Sequence, residues 1–215
     1  MSALKKFIKK LIFYNSLLRI KNYFLKLILK IKIIIRNEND FNIIIGAGDT
    51  KYNGWISTDI NTLDITSFNS WQFLFKINSL DNILAEHIFE HLTFEEAVIA
   101  CNNCNKFLKK GGNLRIAVPD GYFPNKNYIE SVKPGGLGPG AKDHKQLYNF
   151  KSIQKIFNSK IFDYELIEYF DQNGKFNNNM LDINKGYIIR SRFNDERNTI
   201  NKINYTSLII DLIKK

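Results

Sequence analysis

The stretch Asn42–Thr50 reads Asn-Ile-Ile-Ile-Gly-Ala-Gly-Asp-Thr, and it constrains the fold more than any other part of the chain. Three β-branched residues in succession favour a short buried strand, and the two glycines that follow end it. A glycine turn at the end of a strand lets a ligand approach the backbone, and open α/β sheets bind nucleotide-like ligands at such turns. Asp59 follows at the end of the next strand-like stretch. This pairing predicts an adenosyl group beside the turn, with the Asp59 carboxylate on its ribose hydroxyls.

From residue 41 onward, strand-like and helix-like patterns alternate along the chain. The predicted strands are residues 42–46, 55–59, 62–65, 83–86, 113–118, 164–169 and 205–211, and the predicted helices include 93–109 and 150–159. Such alternation favours a parallel sheet with right-handed crossovers. Two insertions near residues 121–149 and 171–198 are too long for ordinary connections. Loops of this length usually act as lids or binding loops.

The N-terminal region carries all of the chain's net positive charge. Ten of the 31 Lys and Arg residues lie within residues 1–36, which contain no Asp or Glu, so the rest of the chain has 21 basic and 21 acidic residues. A neutral body argues against nucleic-acid binding. We predict a basic amphipathic helical extension over residues 1–40, separated by the polar break at 37–40 from a domain at 41–215. No apolar run reaches the ~18 residues of a membrane span. The extension is therefore expected to contact either an anionic membrane surface or protein, as in a homodimer.

The segment His87-Ile-Phe-Glu90-His91 formally matches the H-x-x-E-H motif of one class of zinc proteases. It follows a strand directly, however, and no third ligand occurs at a suggestive spacing. Cys101 and Cys104 lie in a helical pattern without a second ligand pair. We therefore expect no bound metal, and we expect His91 to have a structural role.

Several motifs occur together in a specific order. They are Gly46-Ala-Gly48, Gly54-Trp-Ile-x-Thr-Asp59, Ala-Glu86-His87-x-x-Glu90-His91-Leu92 and Leu108-Lys-Lys-Gly-Gly-x-Leu leading into Pro119-Asp120. This combination, over residues 41–211, resembles the class I S-adenosylmethionine-dependent methyltransferases, and most closely a bacterial branch often found near surface-polysaccharide genes. The resemblance implies a doubly wound, Rossmann-like α/β sheet of about seven strands with the last strand antiparallel. It departs from the family at Ile44, where many members have an acidic residue, and at Thr50, which replaces a glycine.

The resemblance also implies which residues bind the cofactor, S-adenosylmethionine. The turn at 46–48 would contact its methionine part, Asp59 its ribose, and the residues after the third strand its adenine. Glu86 and His87 would border the sulfonium and the acceptor. The complete set of expected cofactor-binding residues is Gly46, Ala47, Gly48, Asp49, Asp59, Ile60, Asp64, Ile65, Glu86 and His87.

Methyl transfer from a sulfonium is a direct displacement, so the enzyme must mainly align the reacting atoms. A hydroxyl acceptor also needs a base, for which histidine has a suitable pKa. The candidate catalytic residues are His87 and Asp120, at predicted strand ends, and His144, in the glycine-rich first insertion. Arginines in the second insertion suit an anionic acceptor.

The predicted function is methyl transfer to a small acceptor, namely an oxygen of a sugar, a sugar-nucleotide or a phosphorus-bearing modifier of a capsule or other surface polysaccharide. The acceptor and polysaccharide role follow from the resemblance only. The alternative is a non-catalytic methyltransferase-like module anchored at a membrane surface by its basic extension. The protein is expected in the cytoplasm, and at the inner face of the membrane if its basic extension binds lipid.

Overall fold

The structure, a computed structural model, describes residues 3–36 and 41–215. The predicted boundary at residues 37–40 lies outside the described residues. The helices are α1 (Ala3–Ile35), α2 (Phe68–Leu74), α3 (Phe94–Phe107) and α4 (Lys126–Val132). The strands are β1 (Asn42–Ile45), β2 (Trp55–Ser57), β3 (Leu80–Glu86), β4 (Leu108–Pro119), β5 (Phe162–Phe170), β6 (Phe176–Asn178) and β7 (Ser207–Lys214). Short 3-10 helices at Phe89–His91, Ala141–Asp143, Ile153–Ile156 and Ile183–Lys185 complete the regular structure of the described residues.

The described strands form one mixed sheet in the order β2-β1-β3-β4-β7-β5-β6. β1 pairs in parallel with β2 and β3, and β3 with β4. β7 runs antiparallel between β4 and β5, and β6 is antiparallel to β5. The expectation of a Rossmann-like sheet of seven strands with the last one antiparallel is therefore confirmed. The chain passes from β1 to β2 on one side and then crosses to β3 on the other side of β1. The sheet therefore has a switch point between β1 and β3, and open α/β sheets bind ligands at such a point.

Two of the predicted elements, the strand at 62–65 and the helix at 150–159, were wrong. Residues 62–65 form a turn, and the seventh strand of the sheet is instead β6, within the second insertion. β6 is only three residues long, and its Asn-rich sequence carries no alternating apolar pattern. The predicted helix at 150–159 is reduced to the 3-10 helix Ile153–Ile156. By contrast, Thr93 and Glu96 form the predicted capping box at the start of α3.

The two faces of the sheet are covered differently. Alternate residues of a strand point to opposite faces, so Ile43 and Ile45 face the larger core while Ile44 faces the smaller one. The larger core contains buried side chains of α1, α2 and α3. The smaller core is closed by coil residues such as Leu181 and Ile188 of the second insertion. The second insertion thus covers a face on which a doubly wound sheet normally carries helices.

Among the described residues, the long helix α1 contacts the domain through its C-terminal half, from Tyr23 onward. Ile33 is buried in the larger core, and the Lys30 ammonium lies 4.6 Å from the centre of the Phe73 ring. Further toward the N-terminus the consecutive residues Leu11, Ile12 and Phe13 are 49%, 59% and 66% exposed. Three successive residues cover more than half the circumference of a helix, so apolar side chains are exposed on several sides of α1. No helix among the described residues combines the length and apolar character needed to cross a bilayer.

Candidate active site

A cavity of about 490 Å³ lies at the carboxyl ends of β1 and β3. We call it the strand-end cavity. Its wall combines the ends of two neighbouring strands with both insertions. From the strand ends come Ile44, Ile45, Gly46, Ala47, Thr50, Tyr52, Leu84, Glu86, His87, Glu90 and His91; from the insertions come Ser131, Val132, Gly138, Pro139, Gly140, Ala141, His144, Ile189, Arg190 and Arg197; Tyr205 completes the wall. Residues far apart in sequence therefore meet at the switch point of the sheet.

The glycine turn at the end of β1 has the conformation that the sequence predicts. Gly46 and Gly48 have φ angles of 60° and 51°, which are unfavourable for residues with a Cβ. At Gly46 a Cβ would also lie 2.0 Å from Cδ1 of Ile88. The side of Gly48 is open, with no atom within 4 Å of the position that a Cβ would take. The backbone at Gly48 is thus accessible to a ligand.

Asp59 lies directly beside this turn. Its Oδ2 accepts a hydrogen bond from the Gly48 N–H at 3.2 Å, and its Oδ1 accepts one from the Ile60 N–H at 2.6 Å. A carboxylate has about four lone-pair sites, so each oxygen retains capacity for a further donor. Asp49 and Ile60 are exposed beside the turn and Asp59. None of these four residues is in the wall of the strand-end cavity, although Gly48 and Asp49 lie between the wall residues Ala47 and Thr50.

The two residues expected to flank an adenine do not line the strand-end cavity. The Asp64 carboxylate accepts hydrogen bonds from the backbone N–H and hydroxyl of Thr66, which stabilises the turn before α2. The Ile65 side chain is buried in the larger core, and its carbonyl accepts hydrogen bonds from Trp71 and Asn103. Residues 62–65 form a turn, so the expectation that Asp64 and Ile65 end a third strand is corrected. Their contact with the cofactor stays a prediction.

Glu86 connects β3 to the second insertion. Its two carboxylate oxygens accept hydrogen bonds from the backbone N–H groups of Ile189 and Arg190, at 3.1 and 2.8 Å. These bonds hold the insertion over the cavity. Tyr52 lies on the same wall, and its hydroxyl is buried without a hydrogen-bond partner among the described residues. Burial, together with the Glu86 carboxylate, raises the pKa of Tyr52 to about 12.

His87 lines the cavity in a constrained conformation. Its φ of 55° is unusual for a residue with a side chain, and such conformations occur mainly where the surrounding structure enforces them. Its Nδ1 lies 2.9 Å from Oε1 of Glu90, and its Nε2 lies 3.1 Å from the Ser207 hydroxyl. Both ring nitrogens therefore already have polar neighbours. This arrangement favours a positioning role for His87 over the role of a general base, which would need a free ring-nitrogen lone pair.

His144 also lines the cavity, as the sequence predicts for the first insertion. Its Nδ1 lies 2.6 Å from the Val132 carbonyl, which can only accept a hydrogen bond. Nδ1 therefore carries the proton, and the lone pair of a neutral ring is on Nε2. His144 is thus oriented by a carbonyl of α4. Its ring contacts that of His91 edge to face, with 4.7 Å between ring centres.

Asp120 does not lie in the wall of the cavity. It is fully buried, and its carboxylate accepts hydrogen bonds from the backbone N–H groups of Tyr122 and Phe170, at 2.9 and 2.6 Å. Burial raises its pKa to about 6. The carboxylate joins the end of β4 to the end of β5. We therefore correct the catalytic role expected for Asp120 to a structural one.

Two arginines of the second insertion line the cavity. Arg190 is held through its backbone to Glu86, and the Arg197 guanidinium lies 3.5 Å from the centre of the Tyr205 ring. Asp195 pairs with Arg197 and raises the pKa of its guanidinium. Outside the cavity wall, Lys185 lies 3.8 Å from Asp211, and Arg192 donates hydrogen bonds to the carbonyls of residues 199 and 200.

Some of the wall could not have been predicted from sequence. Tyr52 and Tyr205 stand in no motif, and each reaches the cavity because its segment packs against a distant strand. Glu90 belongs to the H-x-x-E-H segment, which the sequence did single out as a motif. His144, which lines the same cavity from the first insertion, is 54 residues away in the sequence.

No protein-family profile matches this chain, and no curated protein matches it in sequence. Among solved structures, it is similar to phosphoethanolamine N-methyltransferase 2 of Haemonchus contortus, with 16% identity, a TM-score of 0.43 and coverage of 65% of this chain and 38% of that one. The CurJ carbon methyltransferase has 15% identity and a TM-score of 0.49, over 83% of this chain and 49% of that one. A S-adenosylmethionine-dependent methyltransferase from Archaeoglobus fulgidus has 16% identity and a TM-score of 0.44, over 90% and 94%. This chain thus spans less than half the length of the first two.

Proposed function

We propose that this protein transfers a methyl group from S-adenosylmethionine to an oxygen of a small anionic acceptor. The single observation that carries the proposal is the strand-end cavity, which joins the glycine turn after β1, to which Asp59 is hydrogen-bonded, to histidine and arginine side chains. In open α/β sheets, ligands bind at this switch point. The cavity volume of about 490 Å³ lies within the range of roughly 300–1,000 Å³ that is usual for small-molecule sites.

The residues present are compatible with the cofactor. The open backbone at Gly48 and the unused lone pairs of Asp59 suit the hydroxyls of a ribose. The carboxylates of Glu86 and Glu90 lie further along the wall and favour a cationic group such as a sulfonium. The buried hydroxyl of Tyr52 is available as one more hydrogen-bonding group. Ile44 lines the wall at a position where many methyltransferases have an acidic residue. In this chain Glu86 and Glu90 supply the negative charge of the wall instead.

S-adenosylmethionine, when bound, supplies the methyl group as an electrophile. The residues of this chain align the acceptor with it and exclude water. Arg190 and Arg197 bind an anionic group of the acceptor, because guanidinium groups form strong paired hydrogen bonds with phosphates and carboxylates. The Nε2 lone pair of His144 accepts the proton of the acceptor hydroxyl. His87 holds Glu90 and Ser207 in place.

A sugar, a sugar-nucleotide or a phosphorus-bearing modifier of a surface polysaccharide would provide both a hydroxyl and an anionic group. This part of the proposal combines the two arginines with the family resemblance of the sequence. The exposed apolar side chains of α1, together with ten basic and no acidic residues in 1–36, support binding of α1 to an anionic membrane surface. A cytoplasmic enzyme bound at the inner face of the membrane would then meet lipid-linked or soluble glycan precursors.

The proposal is tested first by calorimetry with S-adenosylmethionine and S-adenosylhomocysteine. We expect binding of one ligand per chain, and complete absence of binding would contradict the proposal. Incubation with methyl-labelled cofactor and a panel of sugar phosphates and sugar-nucleotides then identifies the acceptor. Replacement of Arg197 by Met should raise the KM for an anionic acceptor and leave cofactor affinity unchanged. Cofactor binding without transfer to any member of a broad panel would favour the non-catalytic alternative.

A further inference from the structure

Three side chains able to bind a metal ion converge on one wall of the strand-end cavity. A carboxylate oxygen of Glu90 and one ring nitrogen each of His91 and His144 lie within 4.8 Å of one another. Glu90 and His91 belong to the 3-10 helix Phe89–His91, directly after β3. His144 comes from the first insertion, whose next two backbone N–H groups both donate to the Glu90 carbonyl, at 2.7 and 3.1 Å. Backbone hydrogen bonds therefore hold this cluster together.

The buried Glu90 carboxylate has one close polar neighbour and no aligned hydrogen bond. Glu90 is 0% exposed, and neither of its oxygens has a hydrogen-bond partner among the described residues. Nδ1 of His87 lies 2.9 Å from Oε1, which makes an ion pair when the imidazole is protonated, but the contact does not have the alignment of a hydrogen bond. Taking a carboxylate out of water is costly unless it is paired, hydrogen-bonded or bound to a metal. An ion beside Glu90 would supply a direct partner for the carboxylate.

The orientation of His144 is the one that metal-binding histidines usually have. A ligating histidine commonly donates its other ring N–H to a carbonyl or carboxylate, which fixes the ring and its tautomer. In His144 this role falls to the Val132 carbonyl, 2.6 Å from Nδ1, so Nε2 is the nitrogen available to a metal. His144 is also only 9% exposed, so its position is set by packing.

We propose that Glu90, His91 and His144 form a binding site for a divalent first-row transition metal, of which Zn²⁺ is the simplest probe. Two imidazole nitrogens and one carboxylate oxygen form a ligand set that leaves a coordination position open. In a tetrahedral site with bonds of about 2.0 Å, ligand atoms lie roughly 3.3 Å apart, so side-chain shifts on the order of 1 Å would close the cluster on an ion. The open position faces the cavity that all three residues line.

The site also suggests a role for the ion, and this part rests on the proposed function. An acceptor oxygen bound at the open position would lose its proton more readily, because a metal ion lowers the pKa of an oxygen that it binds. The ion would then replace the free His144 imidazole as the group that prepares the acceptor. Metal binding itself requires no methyl transfer, so it is tested separately.

The test uses untagged full-length protein, freed of metal by a chelator and titrated with Zn²⁺ in a calorimeter. We expect one ion per chain and an increase in melting temperature on binding. Glu90→Gln, His91→Asn and His144→Asn should each weaken Zn²⁺ binding by roughly 100-fold or more, because loss of a direct ligand exceeds the effect of losing a group that only orients a ligand. The matched control is Glu95→Gln, which removes an exposed carboxylate in the first turn of α3 and should bind Zn²⁺ as the wild type does.

A second measurement keeps the proposal testable if a variant fails to fold. The wild-type protein loaded with Co²⁺ should show the visible bands of a nitrogen and oxygen ligand set. A strong thiolate charge-transfer band would place the ion at Cys101 or Cys104 and overturn the proposal. Absence of Zn²⁺ binding, or equal binding by folded wild type and all three variants, would also overturn it. Loss of cofactor binding with intact Zn²⁺ binding would instead contradict the proposed methyl transfer alone.

Discussion

Replacement of Asp59 by Ala is the most direct test of where the cofactor binds. The carboxylate already accepts one backbone hydrogen bond on each oxygen, from Gly48 and Ile60. Both donors lie in exposed turns, so water can replace the lost acceptor and the fold should tolerate the change. The remaining lone pairs are the ones that would bind the two ribose hydroxyls.

The magnitude follows from those two lost contacts. Hydrogen bonds to a charged group contribute about 1.5–3 kcal/mol each, but Asp59 is only half buried, so water offsets part of the loss. We therefore expect a total loss of about 1–3 kcal/mol in binding free energy. At about 1.4 kcal/mol per factor of ten, this corresponds to a roughly 5- to 150-fold weaker Kd.

The assay is calorimetric titration of wild type and Asp59→Ala with S-adenosylhomocysteine, and the melting temperature of each protein shows that it is folded. Asp64→Ala is the matched control. It removes a nearby carboxylate whose hydrogen bonds are to Thr66, so ligand affinity should stay within about twofold of the wild type if Asp59 is the main polar contact of the cofactor. An unchanged affinity in folded Asp59→Ala would remove Asp59 from the binding site. A larger loss in Asp64→Ala would show that the cofactor lies nearer to α2.

Three further predictions concern the body and the extension. The pKa of Asp120 is raised to about 6, so its contribution to stability is present below about pH 4 and is lost as the pH rises through 6. Denaturant titrations from about pH 4 to about pH 7 should show the free energy of unfolding of the wild type falling by about 3 kcal/mol relative to that of Asp120→Asn. Parallel pH profiles of the two proteins would contradict this. Arg115→Met leaves the buried Asp211 carboxylate without its paired guanidinium and should lower the free energy of unfolding by about 3–5 kcal/mol. Arg115→Met/Asp211→Leu should recover the part of this loss that comes from the unpaired carboxylate, but not the part from the lost hydrogen bonds to the Asp182 and Gly186 carbonyls. A small loss in the single variant would show that the pair is dispensable. Deletion of residues 1–36 should abolish sedimentation with anionic liposomes, and sedimentation at the wild-type level would assign α1 to protein contacts instead.

The glycine turn and most of the sheet could be predicted because their signals are local. The run of isoleucines before Gly46 specifies a buried strand, and positive φ at Gly46 and Gly48 is a backbone property of those residues themselves. The capping box of Thr93 and Glu96 is equally local, since both of its hydrogen bonds form within the first turn of α3.

The errors occurred where a local pattern competed with tertiary packing. The sequence at 62–65 is compatible with a strand, but Ile65 is drawn into the larger core, where its carbonyl is bonded to Trp71 and Asn103. Asp120 stands at a strand end, as a catalytic group would, yet its environment is decided by Tyr122 and by Phe170 of β5. Burial and partners of this kind depend on segments 50 residues away, and no pattern within one segment encodes them.

By itself the sequence determined the alternation of strands and helices, the cofactor-type turn, the charge of α1 and the identity of the residues able to do chemistry. Only the tertiary structure decided which of those residues meet. The second insertion covers one face of the sheet because Arg115 binds the carbonyls of Asp182 and Gly186, a contact between segments 67 and 71 residues apart. His144 joins Glu90 and His91 because the chain that follows it docks on the Glu90 carbonyl. The physical reason is the same in both cases: long-range hydrogen bonds form only once the sheet brings its strand ends together.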